Sequence, residues 1–181
     1  FKKETGLDQV LLDGHQHIHL VPIVLDVILE LSTKLNITWI RTTNEPIPSD
    51  FSLNQWKNIF LKGGLIKWII LQTLDKFAKP RLIKQGIKTN ASFSGILLTG
   101  RMSEKTILCC LNKLKASSQE KHETSPMILI HPASKILKEE EDYLDNFPFS
   151  KNFFKSSWRQ DEYQAIKLAK KRITQDHKLS E

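Results

Sequence analysis

Asp13-Gly14-His15-Gln16-His17-Ile18-His19 sets a carboxylate and three imidazoles at alternate positions. These side chains bind divalent cations and move protons near neutral pH. If the chain runs on here as a strand, its period of two puts all four side chains on one face, where they can converge on one cation. A packing or surface cluster of histidines without metal is the competing reading. His131 is the second candidate, because it closes the apolar run Met127-Ile128-Leu129-Ile130 and precedes Pro132. An imidazole at the exit of a central strand can donate a proton to a leaving group or hold a substrate oxygen; a core histidine satisfied by a backbone carbonyl competes with this. Arg41, at the end of Ile37-Thr38-Trp39-Ile40, can form a structural ion pair with a carboxylate or orient a substrate.

Elements of regular structure must deliver these side chains. Val10-Leu11-Leu12 reads as a buried strand that ends at the histidine-rich segment. Pro22 suits the first turn of a helix, and Val24, Leu25, Ile28, Leu31 and Leu35 recur at helical spacing, which predicts a helix over 22–35. The β-branched and aromatic run 37–41 predicts the next strand, closed by a turn-rich segment with two prolines between Asn44 and Asp50. Strand, helix and strand make a βαβ unit with parallel strands.

From Ser52 to Lys88 follows a basic, aromatic helical stretch broken at Gly63-Gly64, with Trp56, Phe60, Trp68, Leu71, Leu74 and Phe77 among scattered lysines. It reads as a nucleic-acid surface, as an amphipathic element that meets a membrane face, or as a core-facing helix pair with solvated lysines. Further on, a strand is predicted over 94–98, a helix over 103–114, a strand over 126–131, an acidic loop over 139–145 and a last helix over 159–172. The alternation predicts an α/β fold, in which chemistry sits at the C-terminal ends of the strands.

The 181 residues, 40% hydrophobic and 26% charged, describe one globular domain able to bury a real core without metal or cross-links. The adjacent Cys109 and Cys110 do not suit a disulfide with each other, which fits a reducing compartment and helix packing. No apolar stretch reaches the roughly 18 residues of a membrane span, and no signal peptide opens the chain. A cytoplasmic protein is expected. The net charge of +7 permits an anionic partner, but the charge is dispersed and no nucleic-acid or phosphate-loop motif is present, so no nucleic acid is expected. Phe1 and the following KKETG read as the tail of a helix, so the chain is expected to be a fragment.

Leu12 to His19, then Pro22, a helix and Trp39-Ile40-Arg41, resembles the D-S-H-x-H-x-H segment of the YdjC-like carbohydrate deacetylases. Thr89-Asn90 with Phe93, Gly95 and Gly100 is similar to the next segment of the branch associated with hopanoid biosynthesis. Met127 to Pro132 resembles the family's histidine-proline strand end, and Trp158-Arg159 with Glu162 its closing R-x-x-E helix. The family's N-A-D-D-F-G and H-x-x-L-T segments have no counterpart, so the resemblance covers the C-terminal two-thirds of the family.

The resemblance implies a deformed or incomplete (β/α) barrel with residues 52–88 as a helical insertion or cap. It implies a hydrolase that removes an acetyl group from an N-acetylated amino sugar or glycolipid with a divalent cation, Mg2+ or Zn2+. His15 would be a metal ligand, Asp13 a supporting carboxylate and His131 the general acid, with Arg41 and His17 on the substrate. As an incomplete domain, the chain alone is expected to have little activity. The glycolipid branch would bring residues 52–88 to the inner membrane face. The other reading is a non-catalytic barrel that binds an anionic partner.

Overall fold

The computed structural model describes residues 6, 8–47, 51–61, 63–116, 123–133 and 156–178. The acidic loop predicted over 139–145 and the opening residues 1–5 lie outside them. The described chain divides into two compact units, residues 1–97 with 113–127 and residues 98–112 with 128–181.

The first unit begins with strand β1 (Val10–Leu12), a 3-10 turn at His15–Leu20, helix α1 (Pro22–Leu35) and strand β2 (Ile37–Ile40). β1 and β2 are parallel, with Leu11 opposite Trp39 and Leu12 opposite Ile40, so the βαβ unit is present as predicted. Pro22 stands at the start of α1, where its missing N–H is no loss. Asn36 ends the helix in the left-handed conformation, and its N–H returns to the Ser32 and Thr33 carbonyls. Helices α2 (Leu53–Leu61) and α3 (Gly64–Lys84) follow, separated at Gly63 as the sequence predicts. Leu20, Leu25, Leu29, Ile37, Ile40, Ala78, Leu82 and Ile87 form the core under the two strands.

Strand β3 (Thr89–Asn90) runs parallel to β5 (Glu123–Thr124), and a parallel bridge at Trp39–Lys88 ties β2 to the start of β3. The architecture is mixed α/β, mostly helical, with short parallel strands; no closed barrel exists among the described residues. β4 (Phe93–Ser94) is shorter than the strand predicted over 94–98, because the N–H groups of Gly95, Ile96 and Leu97 turn to the Glu45 carboxylate instead of a neighbouring strand.

In the second unit lie α4 (Glu104–Ala116) as far as Asn112 and the whole of α5 (Ser157–Lys178). Glu162, Ala165 and Ala169, at i, i+3 and i+7, form the buried stripe of α5. β6 (Met127–Ile128) is the only ladder in the strand predicted over 126–131, because the His131 N–H goes to the Glu162 carboxylate and the Ala133 N–H to the Arg159 carbonyl. Cys110 is buried and Cys109 half-buried on α4, and neither forms a disulfide. No helix among the described residues is long and apolar enough to cross a membrane.

Candidate functional site

The histidine motif is not a strand. Gln16 and His17 both take positive φ, +50° and +62°, and the chain coils into the 3-10 turn. A residue with a Cβ disfavours that region by roughly 1–2 kcal/mol, so surrounding contacts must hold it there. Period-two sharing of one face therefore fails: Asp13 and His15 face solvent, while His17 and His19 are buried.

His19 braces the turn. Its Nδ1 accepts the Gly14 N–H at 3.0 Å, which leaves the proton on Nε2, and that nitrogen donates to the Arg41 carbonyl at 2.7 Å. Burial pushes its pKa below the free value, so the ring is neutral. The approach is close enough to require glycine at position 14: a Cβ there would stand 2.5 Å from His19 Nδ1. Gly14→Ala is expected to lower the free energy of unfolding by about 1–3 kcal/mol, read from urea midpoints, as overpacking does in a filled site.

Asp13, Arg41 and His17 come together around Phe93. Arg41 Nη2 lies 2.5 Å from Asp13 Oδ1 and donates to the Gly14 carbonyl at 3.2 Å. Its guanidinium rests 5.4 Å from the centre of the Phe93 ring, and the His17 ring meets the same phenyl edge-on at 5.7 Å. Burial draws the Arg41 pKa down and the Asp13 charge opposes it. The carboxylate pairing anticipated for Arg41 is the one found, and it joins the exits of β1 and β2.

The segment after β2 is buried and polar, and it contains a group that sequence reasoning missed. Thr42 donates its N–H to Asn90 Oδ1 at 2.7 Å, and Thr43 donates to Asp75 Oδ1 at 2.5 Å. Glu45, 3% exposed, accepts the N–H groups of Gly95 at 2.6 Å and Leu97 at 3.0 Å, shares that of Ile96 between both oxygens, and accepts from Ser94 Oγ at 3.3 Å. Burial raises its pKa above the usual carboxylate range, while these donors pull the other way. Its own carbonyl accepts from Trp68 Nε1 at 2.9 Å and Gln72 Nε2 at 3.2 Å, so one residue ties α3 to the turn after β4. Nothing in the spacing marks Glu45, because its partners are backbone amides some 50 residues away.

In the second unit His131 is gripped by its backbone. Its N–H donates to Glu162 Oε2 at 2.7 Å and its carbonyl accepts from Arg159 Nε at 3.2 Å. Its ring meets Trp158 edge-on at 6.1 Å. The other Glu162 oxygen accepts the Met102 N–H at 3.2 Å. Trp158 lies so close over Gly100 that a Cβ there would stand 3.1 Å from the indole. Residues scattered from 100 to 162 thus join in one network that holds the His131 backbone and sets Trp158 against its ring.

A family model described as YdjC-like protein matches residues 1–172. The chain belongs to the YdjC-like family. Comparisons with curated proteins and with solved structures gave no match.

For a YdjC-like protein, the assembly of Gly100, His131, Trp158, Arg159 and Glu162 gives structural sense to motifs that are weak one by one. The divalent cation implied by the resemblance does not fit the described residues alone. No group of three or more His, Cys, Asp or Glu side chains placed to hold a metal exists among them. Both His19 nitrogens are engaged and Asp13 is turned to Arg41, which leaves His15 as the exposed imidazole of the motif.

Proposed function

We propose that this YdjC-like chain is a carbohydrate deacetylase, a hydrolase that cleaves the amide of an N-acetylated amino sugar or glycolipid. The family match over 1–172 carries the reading, since YdjC-like proteins are carbohydrate-deacetylase-like. In the reaction water adds to the acetyl carbonyl, the C–N bond breaks, and acetate and a free amine result. The amine is a poor leaving group unless it takes up a proton as the bond breaks. His131 is assigned that proton transfer, with Glu162 and Arg159 as positioning residues; Arg41 and His17 are assigned to substrate and Asp13 to the support of Arg41. A divalent cation, Mg2+ or Zn2+, belongs to the reading through His15, but one imidazole falls short of the three protein ligands of a catalytic zinc site. The remainder of the proposal is a deformed (β/α) barrel, placement in the hopanoid-associated branch, a cytoplasmic location, and residues 52–88 as its cap.

A second reading, a non-catalytic relative that binds an anionic partner, draws on the net charge of +7. One experiment separates the two. The full chain is incubated with N-acetylated hexosamine oligosaccharides, with and without added Mg2+ or Zn2+, while acetate and free amine are followed together. Slow release of both in equimolar amounts is the expected result, in line with the little activity expected of a chain with one candidate metal ligand. Absence of release with every divalent ion tried would leave the binding reading.

A further inference from the structure

α3 is apolar on both sides. Leu71, Ala78 and Leu82 are buried, while Ile66, Ile69, Ile70 and Phe77, at i, i+3, i+4 and i+11, are between 47% and 66% exposed. α2, packed against it, exposes Leu53, Phe60 and Leu61. A helix apolar all round is normally covered all round, and contiguous exposed apolar surface marks an interaction site.

Charge identifies the partner. Lys57, Lys76 and Lys84 are exposed and have no ion-pair partner among the described residues, whereas Lys67 is partly desolvated and attracted by the Glu45 charge. Asp75, the one acid between residues 53 and 84, is buried on the Thr43 N–H. A second copy would bring lysines against lysines, and a nucleic acid would set phosphates against isoleucine and phenylalanine. An anionic bilayer satisfies both parts, with aliphatic side chains at the acyl boundary and lysines at the headgroups. α1 also exposes Ile23 and Val27, but Asp26 and Glu30 accompany them, so that helix does not suit the same surface.

We infer that α2 and α3 form a membrane-surface element whose outer face of Ile66, Ile69, Ile70 and Phe77 enters the interface of an anionic bilayer. Trp68 does not take part as an anchor, since its indole N–H is turned inward to the Glu45 carbonyl. The inference goes beyond the deacetylase reading and does not depend on it.

The test is co-sedimentation of the full chain with vesicles of phosphatidylcholine alone and of phosphatidylcholine with phosphatidylglycerol in about equal parts. Binding to the anionic vesicles about tenfold or more tighter than to the neutral ones is expected. Ile70→Ser with Phe77→Ser is expected to weaken that binding by about tenfold or more in a variant whose circular dichroism shows it folded at the assay temperature, although Phe77 also packs against Arg81 and some stability is lost. Lys57→Glu with Lys76→Glu is expected to abolish the preference for anionic lipid. Three outcomes overturn the inference: no binding to either vesicle, equal binding to both, or a serine variant that binds as well as the parent. A dimer seen by ultracentrifugation and dissolved by the serine changes would also overturn it, by assigning the face to a second copy.

Discussion

Glu45→Ala is expected to lose about 3–4 kcal/mol of unfolding free energy. The carboxylate is the acceptor for three consecutive backbone N–H groups, at Gly95, Ile96 and Leu97, in a place with almost no water. Each buried donor left without an acceptor costs about 1–3 kcal/mol, and relief from burying a charge offsets part of the sum. Glu45→Gln is expected to fall between, because one carbonyl oxygen still accepts while the new amide NH2 points a donor at donors.

The pH dependence of that pair is a sharper test. Burial raises the Glu45 pKa in the folded chain above its free value of 4.5, so the folded state holds this proton more tightly than the unfolded state. Its contribution to stability is fully present below 4.5 and is lost as pH rises through the folded pKa. The stability gap between the parent and Glu45→Gln is therefore expected to narrow as pH rises above 4.5. Asp75, also raised by burial, titrates in both proteins and cancels in the difference. Urea midpoints across the acid range report the gap, and a constant gap would mean that the Glu45 pKa is the same in the folded and the unfolded chain.

Glu45 also illustrates where sequence reading runs out. α1 was legible to its ends, from Pro22 to Leu35, because proline placement and apolar period both act locally. The break between α2 and α3 was legible for the same reason, two glycines inside a helical pattern. The histidine motif was legible as a site but not as a shape. Gln16 and His17 are not residues that announce positive φ, so alternation suggested a strand where the chain turns. His19 consequently reads as a ligand in sequence and is a brace in the fold. The Glu162 clamp was reachable only through the resemblance, since a glutamate on a helix carries no local sign that it will hold the N–H of His131, 31 residues earlier.

His131→Ala is expected to reduce the rate of acetate release by about 10²–10⁴-fold in kcat, with KM changed far less, as loss of a proton donor does. The fold should survive the change, because the structure holds this residue by its backbone. Glu162 takes the N–H and Arg159 the carbonyl, and both bonds are available to alanine. What alanine removes is the imidazole and its edge contact with Trp158. Glu162→Gln is the contrasting change. Its effect on rate should come through misplacement of an intact imidazole, so the pH profile should keep the limb on which rate falls as the proton donor loses its proton. His131→Ala should lose that limb. A variant with alanine at this position that matched the parent in kcat and kept the limb would remove His131 from the chemistry and return it to the alternative anticipated from sequence, a histidine that packs a strand end.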